Sequence, residues 1–211
     1  MAQRSQIVLE PRKSPVQARS TASVDAILEA TIQILLKVGK ERLTTTRVAL
    51  RAGVSVGTLY QYFPNKSALL RAVLRRHLSE VTEAVEHTCE AQQGKPLRQM
   101  VTALITAFLA AKMKDAKTSV ALYSVSSDVD GMKIVQQSGA RSNKAIVAML
   151  ATANERLTPD PELVASMLQG AMFGVSRRLL ESSAPEKQLD TLRQELIFFA
   201  CAYVDARCER T

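Results

Sequence analysis

The 211-residue chain has no tryptophan, and aromatic residues make up only 4% of it. Aromatic and β-branched residues favour strands, and eight glycines are too few for the many turns of an ordinary all-β chain. Long apolar runs are missing too. The longest strongly apolar stretch lies near residues 104–111, far short of the roughly 18 residues that a membrane-crossing helix needs. Near the N-terminus only Ile7-Val8-Leu9 cluster, whereas a secretory signal uses about 7–15 apolar residues and a cleavage site. No membrane segment is expected, and the chain reads as cytoplasmic.

Reactive side chains are equally sparse. The three cysteines, Cys89, Cys201 and Cys208, are odd in number and form no CxxC, which speaks against a disulfide framework or a zinc site. Cys201 and Cys208 are seven apart and share one side of any helix; they read as packed thiols or as a redox pair. The two histidines are His77 and His87. No Ser-His-acid set, inward carboxylate pair, phosphate loop or HExxH is visible. The sequence therefore calls for no enzyme chemistry, no metal and no cofactor.

What is abundant favours helix. Apolar residues make up 46% of the chain, enough for a substantial core. Ala, Leu, Gln, Glu, Lys and Arg, which favour helix, are plentiful. The net charge of +8 is unevenly spread. Residues 1–76 hold 13 Lys and Arg against 4 Asp and Glu, and residues 77–211 hold 15 against 16. The basic excess thus sits in the first third, which points to a polyanion-binding module joined to a neutral body.

Residues 1–19, with Arg4, Arg12, Lys13 and Arg19 and no apolar periodicity, read as a basic flexible arm. Val24, Ile27, Leu28, Leu35 and Val38 then fall at helical spacing, with Gly39 as a stop. A second helix is expected over 44–52, closed by Gly53. A third is expected at 55–63, with Ser55 as N-cap and Pro64 as terminator. Asn65 caps a long fourth helix whose stripe is Leu70, Val73, Leu74, His77, Val81 and Val85. Gly94-Lys95-Pro96 opens the body. Helices are expected there over 97–112, 115–125 and 132–157, with a turn at Asp128–Gly131. Thr158 and Pro159 read as N-cap and first residue of the next helix, and Ser183 with Glu186 as a capping box for the last.

The first helices have helix-turn-helix spacing around Ala52-Gly53-Val54-Ser55. Ala49 and Ala52 allow close approach, and Gly53 can take the left-handed turn. The run Thr44-Thr45-Thr46-Arg47-Val48-Ala49-Leu50-Arg51-Ala52-Gly53-Val54-Ser55-Val56-Gly57-Thr58-Leu59-Tyr60-Gln61-Tyr62-Phe63-Pro64-Asn65-Lys66 closely resembles the DNA-binding signature of the tetracycline-repressor (TetR) family. The resemblance covers about residues 20–80. It implies an all-α fold: an N-terminal helix-turn-helix domain (20–80, recognition helix about 55–63) joined by a long helix to an effector-binding and dimerisation domain (81–211).

The resemblance also implies a sequence-specific transcriptional regulator, a repressor released from its double-stranded operator by a small-molecule effector. A ligand-independent regulator or an architectural DNA-binding protein is the alternative. By position, Val56, Gly57, Thr58, Tyr60 and Tyr62 would line the face entering the major groove. Thr45, Thr46 and Lys66 would meet phosphate. Hydroxyls and helix N-termini bind phosphate oxygens, and a lysine displaces counterions. Val56 departs from the polar or basic residue many members carry there. It excludes a hydrogen bond to a base but not contact with a thymine methyl. Gln61 is assigned to neither core nor groove.

In the body, the last helix carries Leu189, Leu192, Leu196, Phe199 and Tyr203 at spacings of three and four, with Ile197, Ala200 and Val204 as a second apolar side. A helix apolar on two sides packs on its own body and on a partner. The resemblance implies a homodimer in which the last two helices pair with their counterparts, through Met167, Ala171, Val175, Leu192, Leu196, Phe199 and Tyr203. The implied effector pocket draws on Met100, Leu104, Phe108, Tyr123, Met149, Phe173 and Arg177. The apolar ones read equally as plain core, and Arg177 as a solvent-exposed or ion-paired residue.

Overall fold

The computed structural model describes residues 18–126, 130–158 and 160–208, except the side chains of residues 18 and 19. The expected arm through residue 17, Asp128 and Val129 of the expected turn, and Pro159 lie outside the described residues. Among the described residues the fold is all helical, with nine helices and no strand. They are α1 (Ala18–Arg42), α2 (Thr45–Ala52), α3 (Val56–Tyr62), α4 (Lys66–Ala91), α5 (Leu97–Met113), α6 (Ala116–Val125), α7 (Gly131–Leu150), α8 (Pro161–Glu181) and α9 (Pro185–Asp205). No described helix is long and apolar enough to cross a membrane.

The chain divides into two compact units. One holds the residues up to His77 together with Val120–Ile134, and the other holds Leu78–Ser119 and the residues from Val135 on. The expected boundary near residue 80 left 120–134 in the body; the structure groups that segment with the N-terminal helices. Within this unit Arg71 of α4 faces Asp130 at 3.9 Å.

The first unit is built on Ile27, Leu28 and Leu35 of α1, Val48 and Ala49 of α2, Leu59 of α3, and Leu69, Leu70, Val73 and Leu74 of α4, all buried. Helix α2 packs against both α1 and α3. Gly39 ends the regular run of α1 as the sequence predicts, standing at φ 75° and ψ 168° outside the helical region, and one short helical turn follows the kink to Arg42. Arg76 reaches Asp25 and Glu29 of α1 at 3.8 and 3.7 Å. Asn65 caps α4 as the sequence predicts, its Oδ1 accepting the Ala68 N–H at 2.8 Å.

In the second unit α5 packs against α8 and α9, and α8 against α9. Met100, Val101, Leu104, Ile105, Phe108 and Leu109 of α5 form the centre of one continuous core. The helix ends differ from the sequence expectation in three places. Helix α7 stops at Leu150 rather than 157, because the residues after it serve other helices. The Thr152 hydroxyl accepts the Gly94 N–H at 2.9 Å, and the Glu155 carboxylate accepts the Leu97 N–H at 2.9 Å. That carboxylate caps α5, whose own N-cap, Pro96, has no capping side chain. Helix α8 is capped two residues later than predicted, by Asp160 accepting from the Glu162 N–H, with Pro161 in the first turn. The Ser183–Glu186 capping box does not form. Ala184 is the N-cap with no side-chain bond, and Ser182 Oγ accepts the Ala184 N–H at 3.3 Å instead.

Two glycines of α7 separate backbone crowding from helix propensity. A Cβ on Gly131 would lie 2.3 Å from the Ser126 carbonyl oxygen, whereas one on Gly139 meets nothing within 4 Å. Gly131→Ala should cost about 2 kcal/mol of stability, the scale of overpacking. Gly139→Ala should be neutral or gain up to about 1 kcal/mol. Chemical denaturation of the three proteins checks both.

Candidate nucleic-acid interface

The α2–α3 corner is held by backbone geometry. Gly53 adopts φ 68° and ψ 27° at the end of α2. Its N–H donates to the Leu50 carbonyl at 3.3 Å, and the Val54 N–H donates to the Ala49 carbonyl at 3.0 Å. This is the paired bonding of a Schellman ending, which favours glycine because only glycine meets no Cβ clash in the left-handed region. The Thr44 hydroxyl caps α2 by accepting the Arg47 N–H at 3.3 Å. Ser55 caps α3 by accepting the Thr58 N–H at 2.9 Å. Phe63 closes α3, its N–H on the Leu59 carbonyl at 2.9 Å and its backbone extended before Pro64.

Once Leu59 and Phe63 are buried, the outward face of α3 is fixed as Gly57, Tyr60 and Gln61, all exposed, while Val56, Thr58 and Tyr62 are half-buried. Helix α2 sets Thr45 and the exposed Thr46 at its N-terminus, where free N–H groups remain. Tyr60 Oη and Thr45 Oγ1 are 2.9 Å apart and share a hydrogen bond. The two helices are thus joined at the solvent edge through hydroxyls, and the pair keeps one O–H and several lone pairs to offer outward. Such a surface suits phosphate oxygens.

The structure commits several polar groups that the sequence left open. Thr58 Oγ1 is bonded to Ser55 Oγ at 2.8 Å, so its hydroxyl belongs to the helix cap. The Lys66 ammonium donates to the Lys40 carbonyl and ties α4 to the end of α1. The Arg47 guanidinium donates to the Arg42 carbonyl at 2.8 Å, and Arg51 Nε to Gln33 Oε1 at 2.6 Å. Gln61 has no intramolecular partner among the described residues.

The expected body sites are only partly brought together. Met100, Leu104, Phe108 and Met149 are buried in the second unit, and Phe173 meets the Phe108 ring edge-on at 5.6 Å between centroids. Tyr123 belongs to the first unit and is exposed. Arg177 points outward, its Nε 2.8 Å from Glu181. A cleft of about 330 Å³ in the second unit is lined instead by the segment after α7, with Leu150, Asn154, Glu155, Arg156, Leu157 and Pro161. Lys112 was missed: it continues the buried Ile105–Phe108–Leu109 side of α5, and burial lowers its pKa. That spacing was readable in the sequence.

Of the expected partner-facing residues, Met167 and Phe199 are exposed, and Ala171, Val175, Leu192 and Tyr203 are half-buried. Leu196 is buried in its own chain's core, so its role is intramolecular. Leu163 and Phe198, not expected from sequence, are exposed at 56% and 71%. All three cysteines are free. Burial, with Glu86 and Glu90 nearby, pushes the Cys89 thiol up to about 12. Cys201 and Cys208 donate to the carbonyls of Arg98 and Val204.

Comparison with known proteins matches residues 27–73 to the family model "Bacterial regulatory proteins, tetR family" and residues 96–203 to "Tetracyclin repressor-like, C-terminal domain". The transcriptional repressor KstR of Mycobacterium tuberculosis is 43% identical over 65 residues, 31% of this chain and 30% of that one. The regulator BetI of Escherichia coli is 32% identical over 79 residues, 37% of this chain and 40% of that one. The chain thus spans well under half the length of these curated relatives. SmeT, the repressor of the Stenotrophomonas maltophilia efflux pump SmeDEF, has the same fold at a TM-score of 0.69 and 21% identity, over 90% of this chain and 92% of that one.

Two glycines of this corner separate fold from surface. Gly53 lies in the left-handed region, whereas a Cβ on Gly57 meets only Ser55 Oγ at an ordinary 3.6 Å. Gly53→Ala should cost about 1–2 kcal/mol of stability. Gly57→Ala should leave the thermal midpoint unchanged or raised while weakening the binding of duplex DNA, measured by fluorescence anisotropy.

Proposed function

The chain belongs to the tetR family of bacterial regulatory proteins, and from that membership we propose that it is a homodimeric, sequence-specific regulator that binds double-stranded operator DNA and is released by a small-molecule effector. The observation that carries the DNA-binding reading is the α2–α3 corner. It offers a helix N-terminus, a hydroxyl pair and an exposed Gly57–Gln61 face, on the part of the chain that holds the whole basic excess. Helix α3 is the groove-entering element in this reading, and Thr45, Thr46 and Tyr60 are phosphate contacts. Lys66 reaches phosphate with the N–H groups it does not give to the Lys40 carbonyl.

One recognition helix reads only a few base pairs, so two copies act together on a two-fold site. The surface we assign to self-association combines Leu163, Met167, Gly170 and Gly174 of α8 with Phe198, Phe199 and Ala202 of α9, all exposed. They recur at helical spacing, and exposed apolar patches of this kind mark association surfaces. The effector reading is supported by the match to the C-terminal family model and by a fold shared with a SmeT–triclosan complex, at a TM-score of 0.69 and 20% identity. Helix α4 runs unbroken from Lys66 to Ala91. An effector favouring the DNA-incompetent state would act through this helix, with a coupling of roughly 1–3 kcal/mol.

The test begins with the purified protein and a random duplex pool. Selection should yield a two-fold-symmetric site, and sedimentation should give a dimer with and without that duplex. A monomer in both conditions, or no enrichment, contradicts the proposal. Tyr60→Phe removes one hydroxyl and keeps the ring. It should weaken selected and unselected duplex alike by about 1.5 kcal/mol, because phosphate contacts carry no sequence information. If no small molecule in a broad screen releases the selected duplex, the ligand-independent reading replaces the effector-responsive one.

A further inference from the structure

We propose that Gln61 is the side chain with which α3 reads base sequence, and that the base it selects is adenine. The inference rests on the reading of α3 as the groove-entering helix. It follows from which polar groups of that helix are already in use. Val56 has no hydrogen-bonding side chain and Gly57 has none at all. The Thr58 hydroxyl is bonded to Ser55 Oγ at 2.8 Å. The Tyr60 hydroxyl is bonded to Thr45 Oγ1 at 2.9 Å, at the edge assigned to phosphate. Tyr62 is half-buried and offers one hydroxyl, without the separate donor and acceptor atoms of an amide. Gln61 is exposed and has no partner among the described residues. It carries the one amide on α3, with donor and acceptor both unused.

Placement strengthens the assignment. Gln61 is four residues after Gly57, hence one turn further on the same face. Side chains of a helix lean back toward its N-terminus. The Gln61 amide therefore extends over the turn that carries Gly57, where the missing Cβ brings the backbone nearest to the groove floor. Gly57 and Gln61 act as a pair, one opening the space and the other filling it. A glutamine amide matches adenine by accepting from N6–H and donating to N7, a two-point pattern that no other base presents in the major groove.

The experiment compares the parent, Gln61→Ala and Gln61→Glu, each selected against the same random duplex pool. The parent should require adenine at one position of each half-site. Gln61→Ala should lose that preference by about tenfold, with the base preference at every other position unchanged. Gln61→Glu, an acceptor only, should turn the preference toward cytosine. Replacing that adenine by 7-deazaadenine should weaken the parent about tenfold and leave Gln61→Ala unaffected. An unchanged base preference in Gln61→Ala, or a parent indifferent to 7-deazaadenine, overturns the proposal while leaving α3 as the recognition helix. Failure of the parent to enrich any sequence overturns the DNA-binding reading itself. The exposed position keeps both variants folded, which equal thermal midpoints verify.

Discussion

The left-handed turn at Gly53 is the constraint on which the rest of the surface proposed to face DNA depends. It ends α2 with two backbone bonds that satisfy the Ala49 and Leu50 carbonyls. It also sets the direction in which α3 leaves. With that direction set, Leu59 and Phe63 enter the core, and Gly57, Tyr60 and Gln61 have no choice but to face outward. The Thr45–Tyr60 hydroxyl bond then closes the corner from the solvent side. A surface built in this way loses little side-chain freedom on binding, and preorganisation of that kind is worth affinity.

Much of this arrangement is legible in the sequence because it is local. Gly53, Ser55, Pro64 and Asn65 are short-range signals, and the cap bonds of Ser55 and Asn65 form where the sequence places them. The resemblance to the family signature adds the positions proposed to face the groove. What the sequence does not give is the choice among competing partners. Thr58 reads as a groove-facing hydroxyl until Ser55 is seen to share a hydrogen bond with it. Lys66 reads as a phosphate contact alone until the Lys40 carbonyl is seen to take one of its protons. Gln61 is ambiguous in sequence and becomes informative only once its neighbours' groups are accounted for.

In the body the early end of α7 has a tertiary cause. The Ala151–Leu157 segment has helical composition, yet α5 begins after a proline with nothing of its own to cap it. Thr152 and Glu155 supply bonds to the chain before and at its start, and tertiary capping outweighs local propensity. The apolar stripes of α8 and α9 show the same limit. Spacing identifies two apolar sides but not which residue lies inward. Leu196 is buried in the chain's own core, while Phe198, two residues on, is exposed.

The central claim is that duplex DNA meets the chain at the α2 N-terminus and the outer face of α3. Backbone amide spectra of isotopically labelled protein, recorded while a selected duplex is added, test it most directly. The account predicts that the largest shifts fall at Thr45, Thr46, Gly57 and Gln61, with the buried Leu104 and Phe108 amides nearly still. Shifts concentrated on α8 and α9, with those four amides unmoved, would contradict it.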